Sequence, residues 1–135
     1  MARLAISICL VMVFLAAGVF AIEIGDYSDP AIPIKSESGK IIIITLQSNR
    51  TTGYEWQIAE PLDTKIIGFM RSEYIPSEPQ AIGSGGTEVW SFRAMGEGNA
   101  KIKFKYVRPW EKDTAPVKKM SFDIVVVEPK IEEIY

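Results

Sequence analysis

Apolar and polar residues alternate with a period of two along four separate segments of the chain, at residues 54–58, 90–94, 100–106 and 120–126. A β-strand places successive side chains on opposite faces, so this period is typical of strands with one buried face. A fifth segment, residues 40–46, contains four consecutive isoleucines, and β-branched residues favour a pleated, buried surface. These patterns predict an all-β chain.

Turn signals separate these segments from two less regular ones, which gives about seven strands. That number and spacing favour an immunoglobulin-like antiparallel β-sandwich. The length of 135 residues fits a single domain of this kind. The predicted strands span residues 31–35, 40–46, 54–59, 66–74, 87–95, 100–107 and 117–127.

The N-terminal segment has a different composition, because residues 4–22 are almost entirely apolar and follow Arg3. A basic start, an apolar run and the small residues near position 21 indicate a signal peptide over residues 1–21. About 20 apolar residues are also enough to cross a bilayer as an uncleaved membrane anchor. Both alternatives place residues 22–135 outside the cytoplasm, secreted or anchored through this segment. We expect a monomer.

The residue inventory argues against catalysis. The chain has no histidine, and its single cysteine, Cys9, lies inside the leader. This excludes the Ser-His-Asp and Cys-His arrangements, histidine metal sites and thiolate zinc in the mature domain. The acidic residues form no recognisable catalytic pair, and we interpret them as solvated surface charge. We therefore expect no enzyme activity, no cofactor and no metal.

The charge balance argues against nucleic acid as a partner. The chain has 15 basic and 17 acidic residues, for a net charge of −2. Removing the leader takes away only Arg3 and leaves a net charge of −3. A nucleic-acid-binding domain is expected to carry a basic stripe instead.

The connections between strands differ at the two ends of the predicted sandwich. If successive strands alternate in direction, three long connections leave at one end, and they correspond to the B–C, D–E and F–G loops of an immunoglobulin-like fold. We name them the threonine loop (residues 47–53), the glycine loop (residues 75–86) and the tryptophan loop (residues 108–116). The opposite end has short polar turns. The end with the three long loops is therefore the candidate binding surface.

Each loop has residues suited to a binding role, although each also has a plain structural interpretation. Gly53 permits positive φ at the end of the threonine loop, and the glycine loop has a tip with little side-chain bulk. Arg and Trp often anchor protein interfaces, and Trp110 stands where the alternating core pattern has stopped. The alternatives are a structural turn, a flexible loop and a tryptophan folded back on the sandwich. Trp56 and Trp90 continue alternating inward faces, and we expect them in the core.

Three motifs on these loops resemble, in order and spacing, those of the chagasin family of cysteine protease inhibitors. That family carries Asn-Pro-Thr-Thr-Gly-aromatic, Gly-x-Gly-Gly-Thr and Arg-Pro-Trp on an immunoglobulin-like domain. One departure is Arg50, which stands where the family usually has proline. The matching segments are Asn49-Arg50-Thr51-Thr52-Gly53-Tyr54, Gly83-Ser84-Gly85-Gly86-Thr87 and Arg108-Pro109-Trp110.

The resemblance implies a reversible, competitive inhibitor of papain-like cysteine proteases. Residues 51–53 would enter the catalytic cleft and cover the protease cysteine without presenting a cleavable bond in register. The tryptophan loop would press on one side of the cleft and the glycine loop on the other. The alternative is a cell-surface immunoglobulin-like binding or adhesion module. The implied protease-binding residues are Asn49, Arg50, Thr51, Thr52, Gly53, Tyr54, Gly83, Ser84, Gly85, Gly86, Arg108, Pro109 and Trp110.

Overall fold

The computed structural model describes residues 24–77 and 85–130, and the regular secondary structure of this part of the chain is almost entirely β-strand. One short 3-10 helix, Arg50–Thr52, interrupts the strands. The eight strands are β1 (Ile24–Tyr27), β2 (Ile34–Glu37), β3 (Ile41–Ser48), β4 (Glu55–Ile58), β5 (Ile67–Pro76), β6 (Gly86–Ala94), β7 (Gly98–Val107) and β8 (Lys118–Val127).

The strands form two four-stranded sheets, in the orders β1-β3-β6-β5 and β2-β8-β7-β4. The central pairs of both sheets are antiparallel, while the two N-terminal strands pair in parallel, β1 with β3 and β2 with β8. Two facing sheets with hairpins and crossovers of this kind make an immunoglobulin-like sandwich. The predicted all-β sandwich is confirmed.

The core lies between the two sheets and follows the alternation of the sequence. In β3 every second residue is buried, and the same alternation holds from Ile102 to Tyr106 in β7 and from Phe122 to Val126 in β8. Trp56 and Trp90 both lie in this core, as predicted, and Phe104 contacts each of them edge-on. The fully buried aromatic and branched residues are Phe92, Phe104, Phe122, Ile34, Ile42, Ile44, Leu46, Ile67, Ile102, Ile124 and Val126.

Two differences separate the observed strands from the predicted ones. β1 was not predicted, and the first predicted strand at residues 31–35 begins later, because a turn at Asp29 occupies part of that stretch. The lower regularity predicted for the strand at residues 66–74 is observed in β5, because its pairing with β6 shifts between Phe69 and Arg71, which is a β-bulge. The predicted leader at residues 1–21 lies outside the described residues.

The three named loops leave the sandwich at one end, as the alternating directions predicted. Ser48 at the end of β3 and Pro76 at the end of β5 both pair with Gly86, the first residue of β6. In the other sheet, Glu55 at the start of β4 pairs with Val107 at the end of β7. The strand ends that carry the threonine, glycine and tryptophan loops therefore lie together.

Candidate functional site

The threonine loop is held in shape by its own hydrogen bonds. Its centre is the 3-10 turn Arg50–Thr52, and Asn49 Oδ1 accepts from the amide and the hydroxyl of Thr51, at 3.2 and 2.5 Å. The Thr52 hydroxyl donates to the Asn49 carbonyl at 2.6 Å. Gly53 ends the turn with a φ of 82°, in the left-handed region that favours glycine. The sequence predicted the positive φ at Gly53.

Two aromatic residues of the core fix the base of this loop. The Tyr106 hydroxyl accepts the backbone N–H of Asn49 at 2.9 Å, and the Trp56 indole N–H donates to the Gln47 carbonyl at 2.9 Å. The two rings also lie against each other, with centroids 4.8 Å apart. The loop is therefore anchored to buried side chains as well as to its flanking strands.

Trp110 rests on the threonine loop while most of its surface faces solvent. The side chain is 66% exposed, yet a Cβ built at Gly53 would lie 3.1 Å from Trp110 Cζ2 and 3.3 Å from Cζ3, with Cη2 closer still. The outer edge of the indole, around Cη2, thus lies against the bare backbone of Gly53. A large apolar ring that is supported from behind and open in front is typical of an interface anchor.

Arg108 connects the tryptophan loop to the threonine loop. Its Nε donates to the Thr52 carbonyl at 3.2 Å, and its guanidinium lies 4.5 Å above the ring centroid of Tyr54. Nη1 also lies 3.3 Å from Glu111 Oε1. Two nitrogens of the Arg108 guanidinium, Nε and Nη1, therefore donate within this chain, which the sequence did not reveal. Pro109, between Arg108 and Trp110, is exposed.

The glycine loop is described only at its two ends, and Gly83 and Ser84 lie outside the described residues. A Cβ at Gly85 would lie 3.2 Å from the Ser48 carbonyl oxygen. A Cβ at Gly86 would lie 2.5 Å from the Ile75 carbonyl oxygen and 2.6 Å from the Tyr74 ring. Ile75 and Tyr74 fill the space beside Gly86. A side chain at this position would therefore clash within the sandwich.

Glu88 is a residue that the sequence analysis misinterpreted. We expected the acidic residues to be solvated, but Glu88 is 2% exposed. Its Oε2 accepts the backbone N–H of Trp56 at 3.0 Å, and its Oε1 lies 3.9 Å from Arg50 Nη2. A signal was present, because Glu88 falls on the inward phase of the alternating set that continues with Trp90 and Phe92.

These contacts join the bases of the threonine, glycine and tryptophan loops into one continuous edge of the sandwich. Its exposed centre consists of Thr51, Thr52, Pro109 and Trp110, and the two arginines tie its parts together. Within residues 24–77 and 85–130, the structure shows neither a group of three metal-ligating side chains nor a helix long and apolar enough to span a membrane. The edge combines a projecting shape, an exposed apolar ring and hydrogen-bonding groups, and these features are typical of a binding surface.

A model of the chagasin family of peptidase inhibitors matches residues 35–126, which cover most of the described sandwich. The chain belongs to this family. The resemblance that the three loop motifs indicated is therefore confirmed. Members of the chagasin family are protease inhibitors, so the expectation that the chain is not an enzyme is also confirmed.

Two characterised proteins show the relationship at the level of sequence. Amoebiasin-2 of Entamoeba histolytica is 32% identical over 90 residues, which are 64% of this chain and 70% of that protein. Chagasin of Trypanosoma cruzi is 28% identical over 75 residues, which are 53% of this chain and 68% of chagasin. The chain thus spans more than two thirds of the length of each relative.

Solved structures of the chagasin family share the fold. The crystal structure of the cysteine protease inhibitor EhICP2 from Entamoeba histolytica matches with a TM-score of 0.61 at 22% identity. The solution structure of amebosin matches with a TM-score of 0.59 at 25% identity. Each alignment covers 77% of this chain and 96% of the other. The immunoglobulin-like sandwich is therefore the architecture of the relatives as well.

Proposed function

We propose that this chain is a reversible, competitive inhibitor of papain-like cysteine proteases that occludes the catalytic cleft with the threonine, glycine and tryptophan loops. Membership of the chagasin family supports the inhibitory activity. The observation that carries the mechanism is the contact of Trp110 with Gly53, because it joins two of the family motifs into one edge. The family match also favours an inhibitor over the adhesion module that the sequence left open.

The geometry of the threonine loop explains how a protease could bind it without cleaving it. Residues 50–52 form a helical turn, whereas a peptide that adds to a binding edge is usually extended. The hydroxyls of Thr51 and Thr52 and the amide of Gly53 are already bonded within the turn. The turn therefore resists the extension that cleavage requires. Thr51 and Thr52 cover the protease cysteine in this proposal.

The contacts that already order these loops also lower the entropy cost of association. Immobilising a flexible interface side chain costs about 0.5–1.5 kcal/mol on association. Here Trp110 is supported by Gly53, and Arg108 is held by Thr52 and Tyr54 before any partner arrives. Most of the contact edge is therefore ordered in advance.

The proposal is tested by titrating the purified protein against papain while following hydrolysis of a small substrate. We expect dose-dependent inhibition that substrate relieves, that dilution reverses, and that leaves the inhibitor uncleaved. Trypsin serves as the control, and its activity should not change. A second arm uses papain with its catalytic cysteine replaced by alanine, which should bind with similar affinity because no bond to the thiol forms. Absence of inhibition, or cleavage of the inhibitor, would refute the mechanism.

We further propose that the inhibitor acts outside the cytoplasm, because residues 1–21 have the pattern of an export signal. The test is N-terminal sequencing of the protein produced in a host that exports it. A mature N-terminus near residue 22 in the medium supports secretion, and an intact N-terminus in the membrane fraction supports anchoring. An intact protein in the cytoplasm would contradict both forms.

A further inference from the structure

Arg50 is held by two groups below the threonine loop. Its Nη2 lies 3.9 Å from Glu88 Oε1, and its Cζ lies 5.0 Å from the ring centroid of Tyr74. The first contact pairs opposite charges and the second places a cation over an aromatic face. The side chain therefore runs from the threonine loop down to β5 and β6.

The carboxylate of Glu88 is held in place beneath the threonine loop. It is buried, and its second oxygen accepts the backbone N–H of Trp56 at 3.0 Å. In the sheet, Glu88 pairs with Leu46 of β3 and with Tyr74 of β5. A buried carboxylate is costly unless it is hydrogen-bonded and paired with a cation. Arg50 and the Trp56 amide supply those two partners.

The position of the Tyr74 ring depends on Gly86. A Cβ at Gly86 would lie 2.6 Å from both Tyr74 Cζ and its hydroxyl oxygen, so the ring lies across the bare glycine. This placement presents the ring to Arg50. Gly86, Tyr74, Arg50 and Glu88 thus form one connected set of contacts, which we name the arginine clamp.

We propose that Arg50 is a positioning residue, which through the arginine clamp gives the threonine loop the rigidity that proline supplies in other members of the family. This inference rests on the proposed function. Arg50 begins the 3-10 turn after Asn49, whose φ of −125° and ψ of 94° are extended. The first position of a helix accommodates proline well, and an extended residue is what should precede it. Arginine in this chain and proline in other members are therefore two ways to restrain the loop at the same backbone position.

The test compares Arg50→Gln, Tyr74→Leu and Arg50→Pro, with Arg93→Gln as the control. Arg93 is an exposed arginine at the opposite end of β6. We expect Arg50→Gln and Tyr74→Leu each to raise the inhibition constant for papain by about fivefold or more, through lost preorganisation. Arg50→Pro should recover most of the inhibition that Arg50→Gln loses, because proline at a compatible site restricts the backbone directly. Arg93→Gln should change nothing.

Amide hydrogen exchange of Thr52 and Gly53 gives a readout that does not depend on a protease. Both amides donate within the turn, to Asn49 and Arg50. Arg50→Gln should speed their exchange by about fivefold or more through local opening, and Arg50→Pro should restore it. If the unmodified protein does not inhibit papain but exchange follows this order, the proposed function fails and the clamp stands.

Other outcomes would overturn the clamp. Unchanged exchange in Arg50→Gln and Tyr74→Leu would show that the contacts do not hold the loop. Weakened inhibition by both Arg50→Gln and Arg50→Pro, with normal exchange, would show that Arg50 contacts the protease directly instead.

Discussion

Replacement of Gly53 by alanine tests the link between loop geometry and inhibition. Gly53 has a φ of 82°, and left-handed backbone costs an L-residue about 1–2 kcal/mol. Gly39 offers a matched control, because its φ is 91° and it lies in the turn at the opposite end of the sandwich. Within the described residues, a Cβ built at Gly39 meets no heavy atom within 4 Å beyond its chain neighbours.

The two substitutions therefore share the backbone cost and differ in one steric contact. The new methyl group at Gly53 would lie 3.1 Å from Trp110 Cζ2 and 3.3 Å from Cζ3, and Cη2 is nearer. Carbon atoms prefer about 3.5–4.0 Å, so Cη2 of the indole must retreat by more than about 1 Å. Trp110 is mostly exposed, and this movement opens no core cavity. The displaced ring should lose much of the roughly 2 kcal/mol that a hot-spot residue contributes.

We expect both variants to lose about 1–2 kcal/mol of unfolding free energy in urea titrations. Only Gly53→Ala should weaken inhibition of papain, by about tenfold or more, which corresponds to about 1.4 kcal/mol. The inhibition constants of the two variants and of the unmodified protein decide the matter. Equal inhibition constants for Gly53→Ala and Gly39→Ala would refute the placement of Trp110 in the binding edge.

Three further substitutions address the contacts around this edge. Trp110→Ala should raise the inhibition constant by about tenfold or more, while the unfolding free energy changes by less than about 0.5 kcal/mol, because the side chain is largely exposed; an unchanged constant would remove Trp110 from the mechanism. Arg108→Lys keeps the charge but loses the planar contact with Tyr54, and should weaken inhibition by about fivefold in the same assay; full activity would show that charge alone suffices. Tyr106→Phe removes the acceptor for the Asn49 amide and should lower the unfolding free energy, measured by urea titration, by about 1 kcal/mol. An unchanged unfolding free energy would show that water replaces this hydrogen bond equally well.

Much of the sandwich could be predicted because its strands carry a regular two-residue period. The alternation in β7 and β8 directly reports which face is buried. β1 has no such signal, since it is only four residues long. It is held by parallel pairing with β3, and β3 is not the next strand in the sequence. β5 was predicted with less regularity because its bulge at Phe69 shifts the period by one residue. Long-range pairing and bulges are invisible in a local pattern.

The site was predictable as a set of segments but not as a set of contacts. The motifs identified the threonine and tryptophan loops, and strand direction placed them at one end. The inward side chain of Arg108 was not predictable, because its partners, the Thr52 carbonyl and the Tyr54 ring, are more than 50 residues away in the sequence. Arg50 was likewise recognised only as a departure from the family, since Glu88 and Tyr74 come from distant strands.

The two arginines explain how a loop between two sheets acquires a defined position. The threonine loop joins β3 of one sheet to β4 of the other, so neither sheet alone fixes it. Arg50 ties the loop to β5 and β6 of the first sheet, through Tyr74 and Glu88. Arg108, at the end of β7, ties it to the second sheet through the Thr52 carbonyl. Because each tether restrains the loop against a different sheet, loss of either one should free motion that the other cannot suppress.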